Sequence, residues 1–149
     1  MSTPTLTHST VEVARSYPAS PDKIFAAYAD VERRASWTAP DGHEVVYVTS
    51  SFDVDGVDDF QCGPVGRAEL TGRVRYLDIK EGVRIVYSET ISLGSEPLAI
   101  SLVSWSLDPS DIGTEVTVIS QICSFVGDDM IAGTREGLSM ALGNLANAL

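Results

Sequence analysis

At 149 residues, with 44% apolar and 21% charged side chains, the chain has the size and composition of one globular domain, which excludes a disordered chain and two separately packed domains. A net charge of −11 repels phosphate backbones, so neither nucleic acid nor an anionic membrane is expected as a partner. No apolar run approaches the roughly 18 residues of a membrane helix and no basic-then-apolar leader is present, so a cytoplasmic location is expected.

Residues 1–9, rich in Ser and Thr, read as a flexible lead that includes His8, and residues 10–149 as the domain. Thr10 to Tyr17 alternate apolar and polar, the period of a half-buried strand, and Pro18 ends it. Ser20 as N-cap and Pro21 in the first helical position then start a short helix that turns Ile24, Phe25 and Tyr28 inward. Asp30 caps a second short helix, Val31 to Ser36, which delivers Trp37 ahead of the breaker Pro40.

From His43 to Cys123 short strands alternate with turn residues, as in an antiparallel meander. The predicted strands are Glu44 to Phe52, Val57 to Cys62, Arg67 to Ile79, Val83 to Leu93, Leu98 to Leu107 and Thr114 to Cys123. Asp55-Gly56 between the first two has the composition of a type I′ hairpin turn. Beyond Gly127 the period changes to 3.6. Asp128 or Asp129 is the expected cap of a helix of about 20 residues, near 30 Å long, with Ile131, Thr134, Leu138, Leu142, Leu145 and Leu149 on one face.

One strand, two short helices, six strands and a long terminal helix make an α+β domain with helices on one face of a curved antiparallel sheet of about seven strands. This order resembles the SRPBCC superfamily, the START-like or helix-grip fold, and within it the group related to the activator of the heat-shock protein 90 ATPase. Four stretches carry the resemblance: Tyr17 to Phe25, Asp30 to Trp37 with Pro40, Arg84 to Glu89, and Val103 to Leu107 with Gly113 to Val118. The terminal segment Gly133 to Leu149 completes it. Where relatives often carry Trp after a glycine of that helix, this chain has Leu138 after Gly137. The resemblance implies a cavity between the long helix and the concave sheet, used across the superfamily for lipids, hormones and polyketides. The same scaffold hosts cyclases, hydrolases and co-chaperones, so the fold does not select a function.

Strand parity sorts the candidate site residues. Ile85, Tyr87, Glu89 and Ile91 share the more apolar parity of their strand, as do Ser101, Val103, Trp105 and Leu107 on the next; Leu70, Val74 and Tyr76 face inward before them, and Phe60 and Cys62 earlier. Glu89, between Tyr87 and Ile91, is either a carboxyl in an apolar wall with a raised pKa, able to act as general acid or base, or a surface acid on a twisted strand. Tyr47, Tyr76, Tyr87 and Trp105 are candidates to orient a ligand or ordinary core side chains. Trp37 either closes the pocket mouth or anchors the short helices. Met130, Thr134 and Leu138 are the expected helix contribution to the cavity.

No metal site or cofactor is expected. His43 with Glu44 offers too few ligands, and the acidic run Asp53 to Asp59 lacks the ladder of a calcium loop and reads as a solvated hairpin tip. Cys62 and Cys123 form no C-x-x-C pair and are expected to be buried free thiols. Arg67, Arg73 and Arg75 fall together on one predicted strand. Gly133 and Gly137 either leave room for the cavity or allow the close approach of a second copy in a homodimer. Three functions follow as alternatives: binding of a small apolar ligand, a cyclase- or hydrolase-type enzyme using Glu89, and a co-chaperone-like interaction module.

Overall fold

The computed structural model describes residues 6–149. Its first strand, β1 (Thr7–Tyr17), is followed by α1 (Pro21–Ala29) and α2 (Val31–Thr38). Six strands come next: β2 (His43–Thr49), β3 (Val57–Pro64), β4 (Leu70–Lys80), β5 (Arg84–Leu93), β6 (Glu96–Ser110) and β7 (Gly113–Ser124). The chain ends in α3 (Asp128–Leu145) and a 3-10 turn over Ala146–Ala148. The seven strands form one antiparallel sheet in the order β1-β7-β6-β5-β4-β3-β2, a meander closed by β1 against β7. This is the helix-grip α+β architecture that the resemblance implied.

The two short helices follow from their caps. The Ser20 side chain accepts from the Lys23 amide at 3.3 Å, and Asp30 Oδ1 accepts from the amides of Glu32 and Arg33 at 3.0 and 3.2 Å. Ile24, Phe25 and Tyr28 are buried as the pattern predicted. The second helix runs on through Trp37 to Thr38, and Pro40 stops it two residues later.

Several boundaries differ from expectation, each for a physical reason. β1 begins at Thr7 because Thr7 to Ser9 pair with Ser124 to Ile122, so His8 sits in a strand. The rest of the expected lead, residues 1–5, lies outside the described residues. Asp55-Gly56 is no type I′ turn, since only Asp55 has positive φ (68°). The segment instead docks on β4, where the Asp55 amide donates to the Tyr76 carbonyl and the Tyr76 amide to that of Gly56, at 2.8 and 3.0 Å. Arg67 lies in the turn before β4, while Arg73 and Arg75 on β4 pair with Asp59 and Asp55 at 2.9 and 3.4 Å. The expected aspartate cap of α3 is also absent. Gly127 occupies that place at φ 87°, its carbonyl held by the Ser124 hydroxyl at 2.8 Å, and Asp128 and Asp129 fall in the first turn.

The sheet wraps α3 from one side. The Tyr17 hydroxyl donates to the Leu142 carbonyl at 2.6 Å, Arg33 to that of Ala148 at 2.9 Å, and the Asn144 amide to that of Ala39 at 3.0 Å, which pins the C-terminal half of the helix to β1 and α2. Ala141, Leu142 and Leu145 are buried there, whereas Ile131 is half-buried and Leu149, expected on the same face, is exposed beyond the helix end. The N-terminal half of α3 stands off the sheet, and the space beneath it is the candidate site.

Candidate functional site

A cavity of about 550 Å³ lies between α3 and the concave face of β2 to β6. Its size is in the range of small-molecule sites. Trp37, Phe60, Val74, Tyr87, Ile91, Trp105 and Leu138 supply most of an apolar wall. His43, Arg67, Glu69 and Leu93 line it and are themselves exposed, so they mark the mouth.

On the helix side the lining is Met130, Gly133, Thr134, Gly137, Leu138 and Ala141, one face by steps of three and four. A Cβ built on Gly133 or Gly137 meets nothing within 4 Å. The two glycines therefore leave space that larger side chains would fill. On the sheet side, Gly72 is paired with Phe60, whose ring lies where a side chain at 72 would stand. That arrangement lays the Phe60 ring along the cavity floor.

Of the residues singled out in the sequence, Trp37, Tyr47, Phe60, Tyr87, Glu89, Trp105, Met130, Thr134 and Leu138 all line the cavity. Tyr76, Ser101 and Val103 do not. Each faces inward by parity, but Tyr76 is fully buried under Tyr28 and Phe52, and Ser101 and Val103 are covered by neighbouring side chains. Trp37 is a core anchor and not a mouth residue: it is 1% exposed and its indole N–H donates to the Ala27 carbonyl at 3.1 Å. It is nonetheless part of the cavity lining. Cys62 and Cys123 are free but only half-buried, contrary to expectation; Cys62 opens on the cavity. Burial, with the nearby Glu89, pushes the Cys62 thiol up to about 11.

One end of the cavity is polar, which the sequence reading missed. Arg34 on α2 and Asp58 on β3 form an ion pair at 2.9 Å with both side chains 1% exposed. The guanidinium lies between the rings of Tyr28 and Tyr47, 4.7 and 4.8 Å from their centroids. It donates to the Tyr47 hydroxyl at 3.0 Å, the Tyr28 carbonyl at 2.5 Å and the Ser50 hydroxyl at 3.3 Å. Asp58 accepts in addition from the hydroxyls of Ser50 and Tyr76, at 2.6 and 2.5 Å, and from the Ser51 amide at 3.2 Å. Each side-chain nitrogen of Arg34 and each carboxylate oxygen of Asp58 thus has at least one partner inside the protein. Asp58 therefore does not belong to a solvated hairpin tip. Its parity with Phe60 and Cys62, and the spacing of Arg34 three residues from both Val31 and Trp37, were the signals in the sequence.

Glu89 is different. On β5 it is half-buried, it lines the cavity, and among the described residues its carboxyl has no hydrogen-bond donor and no cation paired with it. Burial alone raises its pKa from 4.5 to about 7. Next to it Tyr87 accepts from the Trp105 indole at 3.0 Å, and burial holds its phenol well above the usual range. The site can therefore surround an apolar molecule and present one carboxyl that changes charge near neutrality. Among the described residues no group of three or more His, Cys, Asp or Glu side chains converges as a metal site, and no helix is long and apolar enough to cross a membrane.

A curved antiparallel sheet gripping a C-terminal helix over an internal cavity defines a member of the SRPBCC superfamily, a fold that commonly binds apolar ligands. The sequence matches, over residues 18–149, the family described as Activator of Hsp90 ATPase homolog 1-like protein, and the chain belongs to that family. Among solved structures it is similar to the Mll3558 protein from Rhizobium loti, with 34% identity and a TM-score of 0.85 over 97% of this chain and 99% of that one. A protein from Rhizobium leguminosarum gives 22% and 0.85 over 97% and 95%. DynU16, a protein in the dynemicin biosynthetic locus, gives 20% and 0.69 over 93% of this chain and 46% of that one. Comparison with curated proteins gives no match.

Proposed function

We propose that the protein binds a small apolar molecule in the cavity and acts as a container for it. The observation that carries this reading is the cavity itself: about 550 Å³, predominantly apolar in its wall, and kept open by two glycines of α3. Burial of a ligand against Trp37, Tyr87, Ile91, Trp105 and Leu138 would supply affinity at about 25 cal/mol per Å² of apolar surface removed from water, less the cost of association. Both tryptophans of the chain line the cavity, so occupancy has an intrinsic reporter. Titration with the apolar dye N-phenyl-1-naphthylamine should quench tryptophan emission and sensitise dye emission, saturating at one dye per chain. A dye that leaves both signals unchanged would refute the container.

One observation favours a second reading, an enzyme of the cyclase or hydrolase type: the raised pKa of Glu89 suits a general acid or base. The surrounding groups give it little help. The Tyr47 and Tyr76 hydroxyls are engaged by Arg34 and Asp58, Cys62 is held as a neutral thiol, and His43 is exposed at the mouth. Container function is therefore the stronger reading. A co-chaperone role rests on the family description, and stimulation of an Hsp90 ATPase by the purified protein is its test.

A further inference from the structure

We propose that the molecule this cavity takes is an apolar amine, its protonated nitrogen lying against the Glu89 carboxylate while its hydrocarbon part covers the apolar wall. The proposal rests on the container reading and narrows it to one ligand chemistry.

Arg34 and Asp58 neutralise each other, and every one of their side-chain nitrogens and oxygens is already bonded within the protein, with Tyr28, Tyr47, Ser50, Ser51 and Tyr76 as the further partners. Glu89 remains as the one carboxyl in the wall between mouth and polar end that has no protein partner among the described residues. Its strand neighbours on the inward face are Tyr87 and Ile91, and its partners across the sheet are Val74 and Ser101. None of these can supply a cation. Over the whole lining, carboxylates (Glu44, Asp58, Glu69 and Glu89) outnumber the cations Arg34 and Arg67, within a chain of net charge −11.

A carboxyl in such a place selects among ligands by charge. An anionic amphiphile would bring a second negative charge into a wall that already disfavours one, and a neutral alcohol could at most exchange a hydrogen bond with it. A protonated amine converts an unfavourable buried charge into a charge-assisted hydrogen bond in a medium where such contacts are stronger than in water. Burial has placed the Glu89 pKa near 7, so the ionised form that an amine needs is accessible at neutral pH.

The test compares three ligands of one chain length, n-decylamine, n-decanol and n-decanoate, by calorimetric titration below their micellar concentrations at about pH 8, where Glu89 is ionised and the amine protonated. Decylamine should bind about tenfold or more tighter than decanol, and decanoate more weakly than either. Glu89→Gln, close to the same shape, should erase the preference for decylamine over decanol. If decanol binds and decylamine binds no better in the wild-type protein, the amine inference is overturned and the container stands. A preference for decylamine that survives Glu89→Gln overturns it as well. If none of the three binds, both readings fall.

Discussion

Replacing Glu89 by Gln should stabilise the folded protein, and only above about pH 5. The Glu89 carboxyl titrates at about 7 in the fold against 4.5 without burial. Between those values the folded state holds a proton that the unfolded state has lost, so unfolding free energy falls as pH rises through this window and levels off above it. Each tenfold change in the ionisation equilibrium is worth about 1.4 kcal/mol, which sets a ceiling near 3 kcal/mol. Water reaching the carboxyl through the cavity lowers this, and about 1 to 3 kcal/mol is expected at pH 8. For a domain of this size that is roughly 3 to 10 °C in Tm. Because other carboxylates also titrate, the quantity to measure is the difference between variant and wild type, by urea unfolding at about pH 4 and about pH 8. The difference should be near zero at the lower pH and favour the variant at the higher. A difference independent of pH, or a variant less stable at pH 8, would refute an unpaired carboxyl in the cavity wall.

Asp58→Ala should cost about 3 to 5 kcal/mol in urea unfolding, since it leaves the Arg34 charge uncompensated between two tyrosine rings. Gly137→Ala should raise helix stability by about 0.8 to 1 kcal/mol, because its methyl group enters open space. Gly137→Phe should still fold but abolish binding of N-phenyl-1-naphthylamine by filling that space, which circular dichroism and dye titration would show together. Tyr17→Phe should cost about 1 kcal/mol through loss of the hydroxyl bond to the Leu142 carbonyl, read from the urea midpoint.

The fold was legible because its signals are local and agree with one another. Ser20-Pro21 and Asp30 mark the helix starts by side-chain chemistry that works in any context, and the strand parities of Ile85, Tyr87, Val103 and Trp105 repeat on neighbouring strands. Glu89 was legible for the same reason, as an acid on an apolar parity. Arg34 and Asp58 were not, because a charge on a short helix and a charge in an acidic run each have an ordinary solvated reading. Only their meeting across the fold, with Tyr28, Tyr47 and Tyr76 around them, makes burial affordable. Ser101 and Val103 fail in the opposite sense: parity gave their direction correctly but could not show that neighbouring side chains cover them. Direction is a property of the strand, and access is a property of the packed core.

The most direct test of the account is where a bound apolar molecule sits. With N-phenyl-1-naphthylamine bound to methyl-labelled protein, intermolecular nuclear Overhauser effects should connect the dye to the methyl groups of Val74, Ile91, Thr134 and Leu138, all of which line the cavity. Effects confined to the exposed outer-face methyl groups of Val46, Ile100 and Leu102 would contradict a container built around α3.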